Sequence, residues 1–306
     1  MNERSAPRSI EQYLAALREA LAGEDPALVQ DALYDAEEYL RAEVASNPDR
    51  SEADTLELIA STYGAPAEVA EAYRTTEKQV RTALAPPPRR IPRTALGRFF
   101  GVYGDSRTWT ALFFMLLSLV TGIFYFTATV TGLSVSAGLL VMIIGIPFFL
   151  LFVGFTRVLA LAEGRLIEGL LGQRMPRRPV YPSKGMPIIE RIKNMLIDRR
   201  TWTTMFYFLL MLPLGILYFT IAITGVAAGL GLTVGSVAGL LMEAGIGSGG
   251  IDFDNGIYVG PSPALAPLVL IVGVLLLTAV LHLVRGIGRV HGTLAKHLLV
   301  ARADAP

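Results

Sequence analysis

Asp105-Ser106-Arg107-Thr108-Trp109-Thr110 returns 93 residues later as Asp198-Arg199-Arg200-Thr201-Trp202-Thr203. At the same offset Gly122-Ile123-Phe124-Tyr125-Phe126 returns as Gly215-Ile216-Leu217-Tyr218-Phe219, and Thr131-Gly132 as Thr224-Gly225. Each copy is a basic flank followed by a long apolar run. The second two-thirds of the chain therefore reads as a duplicated intramembrane hairpin, with copies at about 95–180 and 188–300.

Composition agrees with a membrane protein. Apolar residues make up 52% of the chain and charged residues 17%, against about 25% charged in a soluble domain. Thr108 to Thr156 holds no Asp, Glu, Lys or Arg, and Thr201 to Val284 holds only Glu243, Asp252 and Asp254. The net charge of +1 does not favour nucleic acid, because the basic residues flank apolar runs. The chain has no cysteine, which excludes disulfides, thiolate metal sites and thiol catalysis. The polar start Met1-Asn2-Glu3-Arg4-Ser5 has no signal-peptide core, so the first span is expected to direct insertion.

Four spans are predicted, at about 109–130, 135–156, 203–224 and 264–284, each long enough for a hydrocarbon core of about 30 Å. Trp109, Trp202, Tyr103 and Tyr207 lie near their entrances, where aromatic rings anchor at the interface. Arginines and lysines precede the first span, fill the loop from Arg157 to Arg200, and follow the fourth from Arg285. The two remaining connections have none. By the positive-inside rule both termini and the central loop face the cytoplasm, across a bacterial inner membrane. Arg157 to Leu171 either continues the second span or lies on the surface, and Ile188 to Leu196 has the two faces of an interfacial helix.

A second offset, 128, relates Gly164 to Gly292, so the second hairpin carries a 35-residue insertion at about 226–263, expected outside the cytoplasm. Gly231, Gly235 and Gly239 recur every four residues, a spacing that lets helices approach closely. The stretch 226–242 reads as a re-entrant or lipid-buried helix, since a fifth span would put Arg285, Arg289 and Lys296 outside. Ile251 to Val259 reads as a β-hairpin with Asn255-Gly256 as a two-residue turn. Asp252 and Asp254 do not fit a calcium loop, because Gly256 stands at its fifth position. With Glu243, these glycines and aspartates are the candidate stimulus or packing positions. His282 is expected at the interface, and His291 and His297 on a solvated surface.

Residues 1–84 read as a small helical bundle, followed by a Pro/Arg-rich spacer at 85–94. Ser9 with Gln12 fits a capping box, and Ile10, Tyr13, Leu14, Leu17 and Leu21 follow at helical spacing. Asp25-Pro26 opens a second helix with Leu28, Leu33, Ala36, Leu40 and Val44 inside and Asp31, Asp35 and Glu38 mostly outward. Tyr13-Leu14-x-x-Leu17, the acidic second helix and Tyr63-Gly64-Ala65-Pro66-Ala67-Glu68-Val69-Ala70 resemble the HAAS domain, an all-α bacterial signalling domain. The resemblance implies protein–protein signalling with a PadR-like transcription regulator, and makes the turn at Tyr63, Gly64, Pro66 and Val69 a candidate partner contact.

The repeated Asp-x-Arg-Thr-Trp, with Leu212 to Thr220 and Gly145-Ile146-Pro147, resembles the four-helix sensor domain of actinobacterial-type histidine kinases, without a kinase core. The whole is therefore expected to be all-α: a cytoplasmic bundle followed by a four-span sensor-like domain, 95–306. The function expected is relay of an envelope or lipid-phase stimulus to a PadR-like regulator or a separate kinase. Membrane lipids, and a second copy of the chain, are further expected partners; direct nucleic-acid binding is not. A small transporter or channel is the second reading, since transporters also carry repeats. The predicted spans, however, lack the buried ionisable residues that mark substrate or proton routes, and Glu243 is the only acid near membrane depth. No nucleophile–base set, metal cluster or phosphate loop is visible, so neither enzyme activity nor a cofactor is expected.

Overall fold

The computed structural model describes residues 7–83, 94–142, 145–178, 193, 197–244, 252–253, 257–258 and 263–300. The spacer and most of 179–196, including the expected interfacial helix, lie outside these residues, as does Asp254.

The N-terminal bundle consists of α1 (Ile10–Ala20), α2 (Pro26–Ser46), α3 (Glu52–Thr62) and α4 (Pro66–Ala83). Ser9, Asp25 and Ser51 cap the first three, each side chain accepting from a first-turn N–H. Tyr13, Leu17, Leu21, Val29, Ala36, Leu40, Leu56, Ile59, Val69 and Ala70 form one core. Gly64 takes a φ of +107°, which a side chain would disfavour, and its carbonyl accepts the Tyr13 hydroxyl at 2.8 Å.

A short helix α5 (Ala95–Phe100) and a one-turn 3₁₀ helix (Gly101–Gly104) lead into the bundle of α6 (Ser106–Leu140), α7 (Gly145–Leu171), α8 (Arg199–Glu243) and α9 (Ala266–Leu299). All four are long and apolar enough to cross a membrane. The chain is a multi-pass membrane protein of all-α class.

α6 and α8 form the centre and cross where neither has a side chain. A Cβ on Gly122 would strike the Met211 carbonyl, and one on Gly215 would strike that of Ser118. Such contact between backbones is how helices associate in lipid, where burying apolar surface gains little. α7 and α9 pack on the outside in the same manner: Gly132 of α6 faces the Phe152 ring, and Gly225 of α8 faces Val280. Pro213 lies within α8 close to the crossing.

The helices run further than composition suggests. α6 does not stop near residue 130 but continues to Leu140. Gly132 serves packing there, and the Ser136 hydroxyl bonds back to the Gly132 carbonyl, so neither ends the helix. α7 continues to Leu171 and α9 to Leu299. The stretch 226–242 is no separate re-entrant helix; it prolongs α8, whose 45 residues span about 67 Å. Gly229 lies against Leu277, and Gly273 against Thr233, so this extension packs on the start of α9. Gly231 and Gly235 face open space and Gly239 is half-buried; Gly225, Gly229 and Gly273 make the close approaches instead.

Beyond α8, β1 (Asp252–Phe253) and β2 (Ile257–Tyr258) pair antiparallel. Phe253 faces Ile257, leaving three residues between the innermost pair, one more than the two-residue turn expected; the turn itself lies outside the described residues.

Candidate functional site

A polar chain runs through the middle of the membrane bundle and draws one residue or more from each of its four helices. The Tyr125 hydroxyl of α6 donates to Glu163 Oε2 of α7 at 3.0 Å. The Tyr207 hydroxyl of α8 donates to Glu163 Oε1 at 2.8 Å, and its oxygen lies 3.0 Å from His291 Nε2 of α9. The Tyr218 hydroxyl of α8 lies 3.3 Å from His291 Nδ1. One assignment satisfies every atom. Tyr207 gives its proton to Glu163 and accepts from Nε2–H, which leaves Nδ1 bare to accept from Tyr218. Glu163, Tyr207 and His291 are fully buried. Phe114 packs on the imidazole at 4.8 Å between ring centres, and Phe208 on Tyr125 at 4.7 Å.

The level of the chain follows from helix geometry. Glu163 stands eight residues before the end of α7, Tyr207 eight after the start of α8, and His291 eight before the end of α9. Each is thus about 12 Å in from a helix end, although the ends differ, because α6 and α8 run antiparallel, with Gly122 at Met211 and Gly215 at Ser118. Ionisable groups at such depth are expensive and mark function by default. Sequence reasoning missed them. It set the second span at about 135–156, with 157–171 as its continuation or a surface helix, and placed His291 on a solvated surface; the helix does continue, and both Glu163 and His291 are buried. The signal was present: 163 and 291 differ by 128, the offset that relates Gly164 to Gly292.

The N-terminal bundle docks on the segment that follows α7 and on the end of α9. Asp31 is not outward but buried. Its carboxylate accepts from the backbone N–H groups of Arg177 at 2.7 Å and Arg178 at 2.9 Å, and from Arg174 Nη2 at 3.1 Å. Gln30 Nε2 donates to the Arg178 carbonyl at 2.8 Å. Around this clamp stand ion pairs of Arg174 with Glu77 at 3.0 Å, Arg178 with Asp35 at 3.0 Å, and Lys296 with Asp25 at 2.6 Å. Ala27 joins the apolar cluster of Leu299, Val300 and Ile167 beneath. Burial pushes the Asp31 carboxyl above its ordinary value, against the pull of the two N–H groups and the Arg174 charge. One side of α2 thus packs into its own domain and the other onto the segment that leaves α7.

The other expected site residues are dispersed. Glu243 is the exposed last residue of α8, far from the buried acid Glu163. Asp252 lies in β1. Val69 belongs to the N-terminal core and Tyr63 stacks on Tyr39 at 4.4 Å, while Pro66 starts α4; the turn at Gly64 is tied inward. His282 Nε2 meets the Phe99 carbonyl at 2.9 Å and joins α5 to α9, and His297 is exposed. Among the described residues no group of three His, Asp or Glu could hold a metal ion.

Two ion pairs tie the starts of α6 and α8, which lie at opposite ends because the two helices run antiparallel. Asp105 caps α6 and pairs with Arg285 of α9 at 3.0 Å; Asp198 caps α8 and pairs with Arg157 of α7 at 3.5 Å. Compared with known proteins, the chain matches no curated protein and no solved structure. The family model for Sensor domains does match, over residues 114–299, which takes in all four long helices, the polar chain and the docked segment. The chain belongs to the Sensor family.

Proposed function

We propose that this membrane sensor protein reads a state of its bundle out through the N-terminal domain. The Asp31 clamp carries the reading: the domain is held by the segment that emerges from α7, the helix bearing Glu163. A shift of α7 moves Arg174 to Arg178 directly, so two arrangements of the bundle bias docked and released states of the domain. The resemblance of that domain to the HAAS type makes the receiver a PadR-like regulator or a separate kinase. The flanking arginines support a reading with both termini in the cytoplasm and the chain in the inner membrane. The matching offsets support an origin of the bundle by duplication of one hairpin.

The test compares a deletion strain with a strain carrying Asp31→Ala in the full chain. Both are expected to change transcripts of the same small set of genes, and the Asp31→Ala protein to bind a purified PadR-like regulator differently from wild type. Wild-type transcripts in the deletion strain would remove the reading.

The buried Glu163–Tyr207–His291 chain favours a second reading, a small transporter or channel, because it supplies the intramembrane ionisable residues such proteins use. Proton or ion flux in proteoliposomes that Glu163→Gln abolishes would select it over the sensor.

A further inference from the structure

Beside the docked segment, α7, α8 and the end of α9 line a small cleft. Arg157, Asp198, Arg200 and Thr201 form its polar wall, and Met175 and Leu299 part of its apolar one. Asp198 is already engaged: one oxygen accepts from the Arg200 backbone N–H at 2.9 Å, and the other faces Arg157 at 3.5 Å. The Arg200 guanidinium stands near enough to feel the attraction of Asp198 and the repulsion of Arg157. Arg200 Nη1 and Thr201 Oγ1 are buried without a hydrogen-bond partner among the described residues, and Thr201 is only 4% exposed. Buried donors without acceptors are rare in folded proteins. The matched place in the first half shares the orphaned hydroxyl, at Thr108 Oγ1, but not the buried arginine. Arg107 is exposed there, and the 3₁₀ turn with buried Val102 packs on α9.

We propose that this cleft takes the phosphate of an anionic membrane lipid. A phosphate brings the acceptors that Arg200 and Thr201 lack, and the planar fork of a guanidinium matches two of its oxygens. Its charge complements that of the Arg200 guanidinium. The apolar wall suits the glycerol and first acyl carbons. Trp202, the next residue, is half exposed, as an interfacial aromatic at headgroup level is. Met175 and Pro176 line the cleft and immediately precede Arg177, whose N–H holds Asp31. Occupancy therefore bears on docking. That consequence rests on the sensor reading; the site itself does not.

The chain has two tryptophans, one in each half, which makes the test internal. The full-length protein is reconstituted in phosphatidylcholine vesicles containing brominated phosphatidylglycerol or brominated phosphatidylcholine. Trp109→Phe leaves Trp202 as reporter, and Trp202→Phe leaves Trp109 as control. Quenching of Trp202 by the brominated anionic lipid is expected to exceed that by the zwitterionic one several-fold, and Trp109 to show no preference. Arg200→Gln abolishes the preference and Arg200→Lys reduces it. Equal quenching of Trp202 by both lipids overturns the site, as does a preference that survives both Arg200→Gln and Arg157→Gln. Displacement of the lipid by millimolar inorganic phosphate or glycerol phosphate overturns the lipid as the ligand. The distance between spin labels at Glu38→Cys and Thr293→Cys, in this cysteine-free chain, reports docking. A lipid preference with an unchanged distance leaves the site standing and removes the sensor coupling.

Discussion

In the first half of the bundle Tyr125 reaches Glu163; in the second half Tyr218, at the matching position, reaches His291. At the rim the partners are alike, Asp105 with Arg285 and Asp198 with Arg157. At the level between, Phe114 answers to Tyr207. The difference shows why the centre is not symmetric. Two glutamates joined through one tyrosine would repel each other, and two neutral histidines would offer no carboxylate. An acid on one side, an imidazole on the other and a single bridging hydroxyl give every donor an acceptor. Anchoring uses the same chemistry twice, whereas the buried chain needs unlike partners.

The largest effect is expected where the halves are most alike. Gly122→Leu and Gly215→Leu each drive a side chain into a facing backbone carbonyl, and both should abolish the folded bundle, measured as loss of monodisperse protein in detergent. If only one does so, the crossing is not reciprocal. Next comes the centre. Glu163→Ala strands two tyrosine hydroxyls, at a cost of about 1–3 kcal/mol each in thermal unfolding. The exchange Glu163→His with His291→Glu sharpens the comparison: the double variant should be more stable than either single one, and additive losses would refute the complementarity.

Asp31→Ala should release the N-terminal domain, seen as a longer and broader spin-label distance. It takes the acceptor from the part-buried Arg177 and Arg178 N–H groups, at about 1 kcal/mol each. At the rim, Asp105→Ala and Asp198→Ala should each cost about 1 kcal/mol, for a lost cap and an ion pair open to water. The smallest effect is of pH. Burial raises the Asp31 pKa, so the docked state holds that proton more tightly than the released state. The resulting contribution to docking is fully present below the ordinary value of about 3.9 and is lost as pH rises through the raised one. The label distance measured across this range should shorten in acid, and Asp31→Asn should remove that dependence.

Much of the fold was legible in the residues. Ser9, Asp25 and Ser51 announce three helix starts, and charge-free runs announce the spans, because both signals are local. Helix ends inside the membrane were not. Gly132 and Gly225 look like stops and act as contact points, which only the facing Phe152 and Val280 reveal. Arg157 looks like the limit of a span, yet it pairs with Asp198 and the helix passes on to bury Glu163. Asp31 sits on the outward stripe of its own helix, and nothing near it in the chain tells that Arg174 to Arg178 cover it. The site is built from long-range partners, and helical periodicity carries no record of those.

The backbone contact at Gly215 divides α8 unequally. Sixteen residues, about 24 Å, separate it from Arg199, and twenty-eight, about 42 Å, from Glu243. With Pro213 at the same height to loosen the helix, the crossing is a fulcrum near the shorter arm. A sideways swing of about 5 Å at the distal tip becomes about 3 Å at the end beside the docked domain. That is the scale of a hydrogen bond made or broken.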